Sequence, residues 1–292
     1  MSGAETSRTG SPAASPGTRA GSGPAPARTG PARDGWPLYE FALTATLMFA
    51  VVTVMRWVLD PASPLVLADL RTALLVVGAI TGTMVFGLIR SPWGRLSGAH
   101  MNPAITLALW RLKAFPGRSV AVYVVAQLSG SFVGTVLARL AWGPAVARVG
   151  YGAVAAAPSW NGWAVFAAEG ACLVLITLMI GFFLARPARE RWFPWVLALL
   201  VCAIIAVLGP LSGGAANPAR QFGPALMSGT TTRLWIYLLA PALGAALGAA
   251  AHRRITSLQR AALGVSLLGV ALAKWSIAPR RRRVRVRAPR PG

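Results

Sequence analysis

Carboxylates are scarce in this chain of 292 residues, which has seven Asp and Glu in all, two histidines, two cysteines and two lysines, Lys113 and Lys274. With so few His and Cys, and none at metal-ligand spacing, no metal is expected. No nucleophile sits near a base and no phosphate-binding loop is present, so the sequence points to no enzyme and no cofactor. Cys172 and Cys202 both lie in apolar runs and read as small buried residues, with no disulfide expected. Residues 1–34 have almost no large apolar side chain. They cannot bury enough surface to offset ordering entropy, which predicts a disordered arm, and without an apolar core they do not read as a signal peptide.

Charge is sparse as well, at 12% against 55% hydrophobic residues, with a mean hydropathy of +0.58. The charges cluster between apolar runs at roughly 36–58, 70–90, 119–142, 162–185, 192–211 and 233–252. Each run reaches the ~20 residues that a spanning helix needs. Trp36, Trp57, Trp142, Trp163, Trp192 and Trp235 stand near the ends of these runs, where an interfacial aromatic belt forms. Lys and Arg in the short connections favour both termini on the cytoplasmic side, with Arg90, Arg95, Arg111, Lys113, Arg118, Arg186, Arg189, Arg191, Arg253 and Arg254 inside.

Two stretches between the spans share one pattern: Ser97-Gly98-Ala99-His100-Met101-Asn102-Pro103-Ala104 and Ser212-Gly213-Gly214-Ala215-Ala216-Asn217-Pro218-Ala219-Arg220. Asn is a favoured N-cap and Pro fits the first helical turn, so each Asn-Pro-Ala triplet predicts a helix start. The apolar runs that follow, Pro103 to Trp110 and Pro218 to Met227, give helices of roughly 12–15 Å, about half of a bilayer core. Entering from opposite faces, the two would meet at mid-membrane. Irregular backbone at that depth is tolerated only inside protein or along a watery cavity, so the preceding loops are expected to line a pore.

The halves repeat. Tyr123, Ala126, Gly130 and Gly134 recur 114 residues later as Tyr237, Ala240, Gly244 and Gly248. Three spans per half force the second copy to lie inverted, an arrangement that places a functional site at the midplane. Gly78/Gly82, Gly130/Gly134 and Gly244/Gly248 are spaced for close helix packing.

Six spans with two such triplets, the second followed by Arg, resemble the aquaporin and glyceroporin family of major intrinsic proteins over about residues 38–252. The resemblance implies an all-α membrane protein: six transmembrane helices plus two re-entrant half-helices in an inverted repeat. The implied channel domain runs over 35–255, with repeats at about 36–142 and 162–252. The implied activity is passive passage of water or small uncharged solutes, excluding protons and ions.

In that reading the pore motifs are Asn102, Pro103 and Ala104 with Asn217, Pro218 and Ala219, the two Asn amides donating to the solute. Half-helix N-termini, each carrying roughly half a positive charge, would repel cations there. Carbonyls of Gly98, Ala99, His100, Gly214, Ala215 and Ala216 would form an acceptor ladder; His100 reads equally as a structural loop histidine. Glu40 and Glu169 are implied to brace the loops by accepting backbone N–H groups. The family's outer filter falls by ungapped spacing on Gly82, Ile205, Gly214 and Arg220, with Thr81 as the alternative on span two. These residues lack the aromatic and His of water-selective relatives and the aromatics of glycerol-selective ones, so glycerol, urea and neutral metalloid hydroxides all stay open. A homotetramer in the plasma membrane is implied by resemblance only. An ion-coupled transporter and a pore-closed scaffold of the same fold are the alternatives.

The net charge of +22 owes much to Arg280 to Arg287. Beside a membrane such a cluster is expected to bind anionic lipid rather than nucleic acid, and 279–292 reads as an Arg-rich tail. Before it, the apolar stretch Ala261 to Ala273 is too short to span comfortably, which predicts an interfacial helix over 256–278.

Overall fold

The computed structural model describes residues 36–277, and side chains as far as residue 262. The expected arm at 1–34 and the Arg-rich tail at 279–292 lie outside the described residues.

Ten α-helices make up the described fold: α1 Trp36–Leu59, α2 Leu70–Arg90, α3 Pro92–Ser97, α4 Pro103–Arg111, α5 Val120–Trp142, α6 Ala145–Arg148, α7 Gly162–Leu184, α8 Phe193–Leu208, α9 Pro218–Ser228 and α10 Leu234–Ile277. No strand occurs among the described residues. Six helices, α1, α2, α5, α7, α8 and α10, are long and apolar enough to cross a membrane. The protein is therefore an integral membrane protein. Polar caps mark two entries: Asp69 accepts from Thr72 N at the start of α2, and Asn161 from Ala164 N at the start of α7.

The glycine pairs set how these helices pack. A Cβ on Gly130 or Gly134 would strike the α1 backbone at Phe41 and Ala45, and one on Gly244 or Gly248 the α7 backbone at Gly170 and Val174. α1 against α5 and α7 against α10 are thus the same close contact in the two halves. On α2, Gly78 and Gly82 press on the backbone of α8 at Cys202 and Ala198. Higher numbers on α2 meet lower numbers on α8, so these two helices run antiparallel across the middle of the molecule.

The helix begun at Leu234 continues without a break to Ile277, so the stretch expected to be an interfacial helix is helical and joined to the sixth span. Neither proline nor a polar cap interrupts 253–277, and the run is rich in Ala, Leu and Arg, so the helix simply propagates. Its 44 residues correspond to about 66 Å, more than twice a ~30 Å hydrocarbon core.

Candidate functional site

The two half-helices are built alike. Asn102 and Asn217 are extended N-caps whose Oδ1 atoms accept from Ala104 N and Ala219 N, each at 2.9 Å, with Pro103 and Pro218 in the first turn. The loops before them repeat a left-handed backbone. Gly98, Ala99 and Met101 have φ of 93°, 49° and 47°, and Gly213, Gly214 and Ala216 have 97°, 59° and 47°. Left-handed Ala and Met are strained, which requires outside support.

That support is a buried carboxylate in each half. Glu40 on α1 accepts from Ser97 Oγ (2.8 Å), His100 N (2.9 Å), Met101 N (2.8 Å) and Gln127 Nε2 (2.8 Å). Glu169 on α7 accepts from Ser212 Oγ (2.8 Å), Ala215 N (3.1 Å) and Ala216 N (2.7 Å). Both glutamates are wholly buried. Tyr123 and Tyr237 complete the match, donating to the carbonyls of Ser97 and Ser212.

The loops also hold each other. Asn102 Nδ2 donates to Ala216 O at 3.0 Å, and Asn217 Nδ2 to Met101 O at 2.9 Å. Each amide has two hydrogens, so one N–H per Asn stays free. Ser131 on α5 pins the second half-helix by donating to Ala219 O and accepting from Gly223 N.

A cavity of about 440 Å³ runs past both loops. Ala99, His100, Met101 and Asn102 line it from one half, and Gly213, Gly214, Ala215, Ala216, Asn217 and Arg220 from the other. The carbonyls of Ala99, His100, Gly214 and Ala215 accept no hydrogen bond from any described residue. The facing wall is aliphatic, with Leu47 and Val51 of α1, Val77 and Val85 of α2, Ile176 of α7 and Val201, Ile204 and Ile205 of α8. Thr81 is also on this wall, and its hydroxyl has no protein partner. No Phe, Tyr or Trp lines the cavity.

Two expected wall residues stand elsewhere. Gly82 is not on the cavity; its missing side chain lets α2 close on the Ala198 carbonyl of α8. The lining face of α2 runs through Leu70, Leu74, Val77, Thr81 and Val85, and a Cβ on Gly78 would lie 3.3 Å from Ile205 Cβ. Val77, adjacent to Gly78, is thus the α2 lining residue level with Ile205, while Thr81 sits about one turn further in. Gly98 also lies off the wall, as the left-handed C-cap of α3 with its N–H on Gly94 O. The Ala216 carbonyl is on the wall but is taken by Asn102.

Arg220, which lines the cavity, is held from two sides. Its Nη1 donates to Gly152 O and its Nη2 to Met55 Sδ. The neighbouring Gln221 grips the same loop, accepting from Val154 N at 2.9 Å and donating to Val154 O at 3.0 Å. His100 has its ring Nδ1 3.0 Å from Thr106 Oγ1 and packs edge-on against Phe115. Met55, Gly152, Gln127 and Gln221 were not expected at the site. Gln127 and Gln221 carry a weak signal, an amide inside an apolar helix, but Met55 and Gly152 carry none.

The arrangement offers a cavity with a file of acceptors and three donor groups on one wall, and little polarity on the other. Among the described residues no group of His, Cys, Asp and Glu is placed to hold a metal.

The family model for major intrinsic proteins matches residues 38–252. The chain is similar to aquaporin AqpM of Methanothermobacter marburgensis, 40% identical over 173 residues that cover 56% of this chain and 70% of the relative. It is also similar to the propanediol uptake facilitator PduF of Citrobacter freundii, 32% identical over 226 residues that cover 62% of this chain and 83% of the relative. Among solved structures, an aquaglyceroporin from Plasmodium falciparum has the same fold, with a TM-score of 0.59 at 22% identity, covering 73% of this chain and 92% of that one.

Proposed function

The chain belongs to the major intrinsic protein family and is a non-enzymatic membrane channel for water and small solutes; from that premise we propose that it passes small polyols as well as water. The observation that carries this is the make-up of the cavity wall, which Arg220 also lines. Val77, Ile205 and Gly214 stand there with no aromatic ring, and Gly214 adds no side chain. A solute with a carbon backbone meets an aliphatic wall while its hydroxyls face Arg220, the free Asn N–H groups and the unpaired carbonyls. That is weak, multi-site binding of the kind that permits both entry and exit.

In this reading Val77, Ile205, Gly214 and Arg220 form the filter. Asn102 and Asn217 donate to solute oxygens, and Ala99, His100, Gly214 and Ala215 accept from solute hydroxyls. Cations are repelled by Arg220 and by the two half-helix N-termini, which each carry roughly half a positive charge. The similarity to a propanediol facilitator supports a diol-sized solute. We also assign both termini to the cytoplasm of a cell membrane, the Arg-rich tail to anionic lipid, and the assembly to the homotetramer typical of the family.

Stopped-flow light scattering on reconstituted vesicles tests the filter. Water, glycerol, 1,2-propanediol and urea are each applied as gradients, with ionic current recorded in parallel. Glycerol and propanediol entry well above the lipid background, without current, is expected. Water flux with no polyol entry would sink the wide-filter reading.

A further inference from the structure

Arg220 hangs between two pieces of chain that are far apart in sequence. Met55 belongs to the last turns of α1, and Gly152 to the turn that follows α6. Those same two pieces are tied together a short way off. Asp60, the residue after α1, accepts from Arg148 at the end of α6 through two bonds, Nε to Oδ1 at 2.8 Å and Nη2 to Oδ2 at 2.7 Å. Asp60 is fully buried and also accepts from Ala62 N at 3.0 Å, whereas the Arg148 side chain is 48% exposed. Paired fork-to-carboxylate bonds fix both distance and orientation, unlike a single flexible ion pair.

The five residues from Arg148 to Gly152 have little room to adjust. Gly152 N donates to Val149 O, Gly150 and Gly152 are left-handed with φ of 55° and 82°, and Tyr151 is left-handed at 54°. A Cβ on Gly152 would meet Val52 Cγ2 at 3.2 Å and Met55 Sδ at 3.6 Å, so the turn is seated directly on α1. Moving Arg148 therefore moves the carbonyl that Arg220 uses.

We propose that the Asp60–Arg148 pair is a strap that positions Arg220, and so sets which solutes pass, without either residue touching the lumen. Neither lines the cavity. With the strap closed, the Gly152 carbonyl and the Met55 sulfur draw the guanidinium against the wall. With it open, the turn drifts, Arg220 loses its acceptor, and its long side chain enters the lumen. Wide solutes then lose more flux than water does. The inference rests on the reading that Arg220 belongs to the filter.

The test is a double-mutant cycle between Arg148 and Arg220, with the glycerol-to-water permeability ratio read in reconstituted vesicles. R148Q is expected to lower the ratio by about two- to tenfold, the range that one lost hydrogen bond on a pore-lining group carries. R148K, which keeps the charge but not the fork, should fall between R148Q and the parent. In an R220A background R148Q should leave the ratio where R220A put it. A ratio unchanged or raised by R148Q overturns the strap, and so does an equal fall with and without Arg220, which would mark a merely structural effect. Should R148Q not survive purification as a single species in size-exclusion chromatography, R148K carries the same cycle. If R220A itself leaves the ratio unmoved, it is the filter reading that fails, which separates the two ideas.

Discussion

Asn102 gives one amide hydrogen to the carbonyl of Ala216, the residue before Asn217, and Asn217 returns the bond to Met101 at the matching place. Each Asn therefore caps its own helix, clasps the opposite loop and keeps one N–H for the lumen. N102D would set a carboxylate oxygen against the Ala216 carbonyl, losing a donor at a cost of about 1–3 kcal/mol and placing a negative charge where cations are repelled. Lower thermal stability, slower water flux and a new cation leak are expected. Thermal unfolding in detergent and vesicle flux with a cation-sensitive dye measure all three, and unchanged values would contradict the clasp.

The two bracing glutamates should respond unequally to removal of their charge. E169Q turns an NH2 toward Ser212 Oγ or a loop N–H, and no other side chain is there to accept it. E40Q faces Gln127, whose amide can turn over and offer Oε1 to the new donor. E169Q should thus lose more stability than E40Q, by roughly one hydrogen bond or ~1 kcal/mol. Equal losses in a thermal unfolding series would show that Gln127 does not compensate.

Much of this was legible in the chain because the repeat is written twice. The Asn-Pro-Ala triplets, Glu40 and Glu169, and the pairs Gly130/Gly134 and Gly244/Gly248 are local patterns, and each stands in the structure at matching places of the two halves, whereas Gly78/Gly82 packs α2 on α8 with no glycine counterpart. What sequence spacing alone did not yield was register across helices. Ungapped spacing points to Gly82 on the wall, yet Gly82 faces the Ala198 carbonyl of α8, and the lining face of α2 runs through Val77 and Thr81. The hold on Arg220 was invisible for another reason. A backbone carbonyl at Gly152 and a sulfur at Met55 have no residue type that advertises them. The continuity of α10 is not marked in the chain, because apolar length bounds the span while unbroken helix propensity carries the helix on to Ile277.

Gly82 and Ile205 can be told apart by what a larger side chain damages. At Gly82 a Cβ would press on the Ala198 carbonyl, so G82A should cost about 1–3 kcal/mol through overpacking, with solute selectivity unaltered in whatever protein folds. At Ile205 the side chain is on the lumen, so I205F should leave stability nearly intact and slow glycerol more than water. Narrowing the filter at Gly214 is a poorer probe, since its φ is 59° and a Cβ would lie 2.9 Å from Ile204 O. A G82A variant of normal stability with reduced glycerol flux would return Gly82 to the wall.

The strap also predicts how selectivity depends on pH. The bonds from Arg148, foremost, hold the Asp60 carboxyl down at about 2 from its ordinary 3.8, and the Arg148 and Arg56 charges act in the same direction. A carboxylate with a lowered pKa stabilises the fold above its unfolded value, and that contribution is lost as pH falls through the folded one. The glycerol-to-water ratio should therefore be flat from pH 8 down to about pH 4 and drop only as Asp60 protonates below that. In R148Q the largest cause of the lowering is gone, while burial still pushes the carboxyl up, so Asp60 should titrate at a higher pH than in the parent. The Asp60-dependent part of the fold's stability is then smaller in R148Q, and its loss on acidification shallower than in the parent. Unfolding curves of the two proteins across pH 3–7 read this directly: parallel curves would mean that Arg148 does not hold the Asp60 charge, and the strap would lose its electrostatic basis.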